Sequence, residues 1–223
     1  KKNRFILTDI NRLITISLKH VPFDGWNKKT FKMACDEAGI SNVEGKLLFP
    51  RGSIDLMLTF IKKDDEEMVK LVVNNENLEK KYRDRITDAM LTRIRLADEN
   101  KEAMRKALSL LSLPHMIPDN AAMVWNLSDA IWNSLGDTSK DINWYTKRVT
   151  LGTVYSSTLL YWLGDESKNI LKTEEILHRR IDDVMEFEAV KVKFKNSKLG
   201  QEFLKGAEKV FSLMKTSNTA DEK

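Results

Sequence analysis

The chain has 223 residues, 42% hydrophobic and 31% charged, with nine Gly and four Pro. That composition suits a soluble globular chain with a real core, excludes collagen-like and low-complexity classes, and favours helices over strands. The single cysteine, Cys35, excludes an internal disulfide and fits a reducing compartment. The net charge of +4 is unevenly spread. Residues 1–53 hold ten basic and five acidic side chains, residues 54–190 are net acidic, and residues 191–215 hold seven Lys against two Glu. Basic ends on an acidic middle point to anionic surfaces, either nucleic acid or lipid headgroups. The chain begins Lys1-Lys2 without Met and shows no apolar signal segment, which leaves a removed leader open.

In chain order, Phe5 to His20 carries apolar residues at helical spacing and is expected to end at Val21-Pro22. A short helix is expected from Lys29 to Ala38, stopped by Gly39, and another from a Ser41 cap to Leu48. Ser53 caps a longer helix running into the sixties. The run Asp64-Asp65-Glu66-Glu67 reads as the solvated start of a further helix carrying Met68, Val69 and Val72. Long amphipathic patterns follow at 78–97, 104–113, 119–135, 141–163 and 173–194. No run alternates with period two, so almost no strand is expected.

Val149 to Gly164 is an uncharged run of sixteen residues. A membrane span needs ~20 apolar residues, so a buried central helix is the better reading. Its Gly152, Thr153, Ser156 and Ser157 permit close helix contact or leave room for a cavity.

Signals for catalysis are thin. The three histidines form no metal-binding spacing, and the single ExxH at Glu175–His178 is half of what a di-iron bundle needs. Cys35 reads as a buried, inert thiol. No catalytic residue, metal site or cofactor is expected.

Residues 28–53 follow the helix-turn-helix order. The candidate reading helix, SNVEGKLLF, has one Lys and no Arg, so it lacks donors for base edges, although Lys28, Lys29, Lys32 and Arg51 suit phosphates. At the other end, Leu199, Phe203, Ala207, Val210, Phe211 and Met214 share one face of a Lys-rich helix spanning 199–215. A basic linker, 191–198, precedes it, and a disordered tail, 216–223, follows. Such a tethered amphipathic helix suits a membrane surface, each exposed Lys adding about 1 kcal/mol near an anionic leaflet.

The stretch GDTSKDINWYTKRVTLGTVYSSTLLYWLGDES, residues 136–167, resembles one family, the ubiquinone (coenzyme Q) biosynthesis accessory protein numbered ninth in the Coq series. Gly25-Trp26, "AGIS", "LLFPRG", "RITDAMLTRIRL", "ALSLLSLPHMIP", "LSDAIWNSLGD" and "ILHRRIDDVM" occur in that family's order. Lys140, Ile142 and His178 depart from it. The resemblance implies an all-α, TetR-like fold of about ten helices with a degenerate helix-turn-helix in 1–53. Residues 54–190 would hold the lipid-binding and dimerisation part.

It also implies a non-enzymatic protein that binds lipids, including isoprenoid quinone intermediates, and presents them to the di-iron demethoxyubiquinone hydroxylase. The implied form is a homodimer on a membrane surface, without nucleic acid. That surface is the cytoplasmic face of a bacterial inner membrane, or the matrix face of the mitochondrial inner membrane if a leader was removed. On this picture Tyr155, Leu159 and Trp162 line the lipid pocket. Arg148 holds a phosphate or polarises a quinone oxygen unless Asp137 or Asp141 pairs with it. Asp129, Ile131, Asp141, Trp144 and Tyr145 form the partner-docking face, since Asp141, Trp144 and Arg148 fall at i, i+3 and i+7. Tyr145 points about 100° away. A TetR-like transcriptional regulator with a lipophilic effector is the alternative reading.

Overall fold

The structure is a computed structural model that describes residues 2–74 and 81–196, with side chains for 7–74, 81–140 and 143–184. Nine α-helices run through the described residues, and none of these residues is in a strand. They are α1 (Lys2–Asp24), α2 (Lys28–Ala38), α3 (Asn42–Leu48), α4 (Ser53–Asn74), α5 (Tyr82–Asp98), α6 (Lys101–Leu111), α7 (Ile117–Ser134), α8 (Asp141–Leu163) and α9 (Leu171–Asn196). The expected helix at 199–215, with Leu199, Phe203, Ala207, Val210, Phe211 and Met214, lies outside the described residues.

Most boundaries have local causes. Asn27 caps α2 by accepting from the Lys29 and Thr30 amides, and Gly39 closes it in the left-handed region at φ 66°. Ser41 and Glu44 form a full capping box on α3, and that hydrogen bonding holds the Glu44 carboxyl below its ordinary range. Two expectations are corrected. α1 continues past Pro22 to Asp24, because a proline in the last turn removes only one internal donor. The two helices expected across 53–74 are one, α4, so Asp64 and Asp65 lie in mid-helix instead of at a helix start.

The reason is Arg93 of α5. It is fully buried and donates from Nε to Asp65 Oδ1 at 2.5 Å, while Nη1 reaches Asp64 Oδ2 at 3.5 Å and Nη2 reaches the Ile61 carbonyl at 3.3 Å. Burial pushes the Asp64 carboxyl up to about 6, against the pull of Arg93. A buried arginine needs its carboxylates inside, and an uninterrupted helix delivers them.

Residues 1–177 form one compact unit. Within it α1 packs on α2, α4 and α6, α4 packs on α5 and α7, and α8 packs on α7 and α5. Leu13, Met57, Met90, Ile94, Leu111 and Trp162 are among its fully buried side chains. Gly45 sets α3 tightly on α2: a Cβ there would stand 2.6 Å from Cys35 Sγ and 3.3 Å from Phe31 Cζ. A second unit begins at His178, and its described part is helical to Asn196. The first residues of the expected linker are therefore helical, as a Lys-rich stretch without Gly or Pro permits.

A candidate docking face and groove on the α7–α8 hairpin

α7 and α8 are joined by residues 135–140. Gly136, at φ 75°, lets the chain reverse, and its amide donates to the Asn133 carbonyl. The N-cap of α8 is Lys140, without a side-chain capping bond. Asp137 organises the turn: it accepts from the Ser139 amide and hydroxyl and from Lys147 Nζ at 2.7 Å. Burial raises its pKa, but those hydrogen bonds outweigh burial and hold the carboxyl at about 2.

Arg148 is the centre of the hairpin. It is 1% exposed, donates from Nε to Asp129 Oδ1 at 2.6 Å, and from Nη1 to the Trp144 carbonyl at 3.1 Å and Asp137 Oδ2 at 3.4 Å. Nη2 donates to Asn133 Oδ1 at 3.2 Å, and the guanidinium lies 3.9 Å from the Trp144 ring centroid. Two cations, Lys147 and Arg148, thus meet two carboxylates, Asp129 and Asp137. The cluster is neutral, so the charge expected to hold a phosphate is already matched. The partner choice left open in the sequence falls on Asp137, joined by Asp129; the Asp141 side chain lies outside the described ones.

The cation–π contact fixes Trp144 beside Tyr145 and Trp125. Ring centroids are 4.8 Å apart for Trp144–Tyr145, 5.5 Å for Trp125–Trp144 and 6.1 Å for Trp125–Tyr145. The 100° separation expected between Trp144 and Tyr145 describes their backbone directions only. Their rings turn towards one another because Trp125 of α7 meets both. Tyr145 is 57% exposed, and the two tryptophans are half-buried. Ile131 is corrected as a contact residue: it is fully buried and offers a partner no surface. Trp125 was missed, although it sits one helical turn before Asp129 and so shares its face.

From this cluster a groove of about 630 Å³ runs between the helices, lined by Ile117, Ala121, Val124, Trp125, Val149, Gly152, Thr153, Ser156 and Leu160, among others. Arg148 reaches its end. The small residues of α8 do both things open to them. At Gly152 the helices touch, since a Cβ would stand 2.8 Å from Val124 Cγ1; beyond it Thr153 and Ser156 leave space. The residues expected to line a lipid pocket do not line this groove. Tyr155, Leu159 and Trp162 are buried on the core side of α8. Trp162 Nε1 donates to Asp98 Oδ1 at 2.8 Å, and burial pushes the Tyr155 hydroxyl up to about 12. A second groove of about 610 Å³, between α4 and α7, has Leu58, Ile61, Val69 and Met123 in its walls and Asp65 among its polar residues. Among the described residues no group of three His, Cys, Asp or Glu could hold a metal, and no helix is long and apolar enough to cross a membrane.

The fold and the sequence both have known counterparts. A TetR transcriptional regulator from Nitrosomonas europaea superposes with a TM-score of 0.63 at 17% identity, covering 78% of this chain and 95% of that one. At that identity the likeness concerns the fold, which is TetR-like. The profile of the COQ9 family matches residues 117–188, which hold both helices of the hairpin. The chain is 30% identical over 182 residues to ubiquinone biosynthesis protein COQ9, mitochondrial, of Homo sapiens, covering 78% of this chain and 57% of that protein. The Rattus norvegicus protein of the same name is 31% identical, with 78% and 58% covered, and the Drosophila melanogaster one 29% identical, with 79% and 55% covered. The chain spans little more than half the length of these relatives. The profile match falls on the hairpin just described, and identity near 30% extends across most of the chain: in both, the chain is similar to the COQ9 family.

Proposed function

We propose that the protein is an accessory protein of ubiquinone biosynthesis that holds an isoprenoid quinone intermediate in the α7–α8 groove. It presents that ligand to the di-iron demethoxyubiquinone hydroxylase, docked on the Trp125–Trp144–Tyr145 face. The role in ubiquinone biosynthesis comes from the names of the relatives. The observation that carries the mechanism is Trp125, which lines the groove and belongs to the aromatic cluster at its end. A ligand leaving the groove at that end enters whatever is docked there. Half-buried tryptophans with an exposed tyrosine and a carboxylate at the rim have the composition of a binding hot spot.

The protein supplies no chemistry of its own in this reading, so no cofactor is needed beyond the carried lipid. Arg148 keeps the docking rings in place, a different part from the phosphate contact read off the sequence. The terminal segment 199–215 docks the protein peripherally on an anionic membrane. Its relatives' mitochondrial naming points to the matrix face of the inner membrane, and a homodimer is the assembly. A DNA-reading regulator is the weaker reading, because the exposed side of α3 gives Val43 and Leu47 as much room as its donors, Asn42 and Lys46, and has no Arg.

The test is Trp125→Ala. It is expected to lower both the lipid that copurifies, read by mass spectrometry, and hydroxylase binding, read by titration calorimetry. Loss of neither sinks the shared-residue mechanism. Loss of lipid on filling the α4–α7 groove with Val69→Trp, with Trp125→Ala lipid-loaded, moves the ligand to that groove.

A further inference from the structure

The three most exposed large apolar side chains among the described residues all lie in the helix-turn-helix unit: Phe23 at 87%, Leu47 at 78% and Val43 at 71%. Single exposed hydrophobes are ordinary on protein surfaces. The arrangement on α3 is not, because the helix is inverted. Its buried contact is Gly45, pressed against Cys35 and Phe31, while Val43 and Leu47, one turn apart, point outward. A seven-residue helix that served only to close the core would turn its valine and leucine inward. Here a glycine brings the helix close, Leu48 is half-buried, and Val43 and Leu47 are left on the outer surface.

The surroundings say what could cover them. Lys28, Lys32 and Lys46 are exposed and form no ion pair among the described residues. Among the acids of α2 and α3, Asp36 is exposed, Glu37 meets His20 at 2.6 Å and Glu44 is tied into the capping box of α3. Residues 1–53 as a whole hold twice as many basic as acidic side chains, against a net acidic 54–190. That segregation turns the N-terminal unit towards a negative surface. Nucleic acid is a poor match, because the outer face of α3 would put Val43 and Leu47 where a reading helix needs hydrogen-bond donors. An anionic bilayer matches on both counts: its headgroups take the lysines, and its interface takes the aliphatic side chains.

We propose that the outer face of the helix-turn-helix unit is a bilayer-contacting surface, with Val43 and Leu47 entering the interface and Lys28, Lys32 and Lys46 meeting anionic headgroups. It is a second membrane contact, separate from the 199–215 segment, and it requires nothing of the α7–α8 groove. A fold built to lie along DNA phosphates keeps its geometry and changes its partner to lipid phosphates.

The experiment uses the full chain carrying Leu47→Cys, labelled with an environment-sensitive NBD fluorophore. Cys35 is buried and burial raises its thiol pKa, so it is spared. A label on Glu166→Cys, an exposed site in the α8–α9 connection, is the control. On vesicles of equal parts phosphatidylcholine and phosphatidylglycerol, the label at residue 47 should shift to the blue and be quenched by brominated acyl chains, while the control label does neither. Val43→Glu/Leu47→Glu should weaken vesicle binding about tenfold with an unchanged melting temperature. An unshifted label on vesicles overturns the proposal, including the case in which the terminal segment alone tethers the protein. So does a label that responds instead to duplex DNA, to the hydroxylase, or to protein concentration without lipid. The last result would assign the face to a second copy of the chain.

Discussion

The two faces of α8 have opposite designs. The core face carries Tyr155, Leu159 and Trp162, large side chains exposed by 3% or less, with the one indole nitrogen bonded to Asp98. The groove face carries Gly152, Thr153, Ser156 and Leu160, small or exposed, and leaves space along α7. One helix therefore closes a core on one side and opens a binding surface on the other. Size is what separates them: bulk fills the interior, and its absence on the other face makes the groove. Arg148 sits where the two meet, and satisfies two carboxylates while presenting a tryptophan.

Breaking the core face should have the largest effect. Trp162→Ala is expected to cost ~3–5 kcal/mol, read as a large drop in the denaturation midpoint, with the Asp98 acceptor left without its donor. A small loss would mean that α8 contributes little to the core. Arg148→Met comes next. It takes the guanidinium from Asp129 and leaves Asp137 with Lys147, and a cost of about 3 kcal/mol in chemical unfolding is expected. Arg148→Lys should recover part of that stability and less of the hydroxylase binding, since an ammonium replaces the charge without reproducing the several contacts of the guanidinium.

The sharpest comparison is between two substitutions that should change stability by only ~1–2 kcal/mol. Ser156→Trp fills the groove and is expected to strip the bound lipid while hydroxylase binding persists. Trp144→Ala should do the reverse, abolishing binding in calorimetry with lipid content intact. If Trp144→Ala unfolds the protein, Trp144 is core and the docking face is wrong.

A pH-dependent effect concerns the other buried arginine. Burial raises the Asp64 carboxyl to about 6 in the folded chain, above its unfolded value, so the folded state holds its proton more tightly. Stability then falls as pH rises from about 4 to 6, by roughly 1–3 kcal/mol at this one group. Asp64→Asn should flatten that part of the stability profile and leave pH 7 stability equal or higher; an unchanged slope would reject the assignment.

Much of the fold was legible in the chain. Gly39, Ser41, Pro114 and Gly136 mark helix ends through local rules of capping and backbone freedom, and these act without tertiary help. The run Asp64–Glu67 misled because it has the charge of a helix start; only Arg93, arriving from α5, makes two of those acids interior residues. The docking face was half legible. Trp144, Tyr145 and Arg148 announce themselves as an unusual cluster, but their third ring, Trp125, comes from a helix ending before the turn.

The sequence alone determined an all-helical chain, the helix-turn-helix order at its start, the unusual motif at 136–148 and the resemblance to the COQ9 family. Periodicity, capping and motif order are local properties, and local properties survive reading in one dimension. Tertiary structure alone decided which side of α8 faces the core, that Arg148 is neutralised by Asp129 and Asp137, and that Val43 and Leu47 point away from the core. Apolar residues around the whole of a helix do not say which of them will be buried. That choice depends on what the neighbouring helices bring, and they are brought together only by the fold.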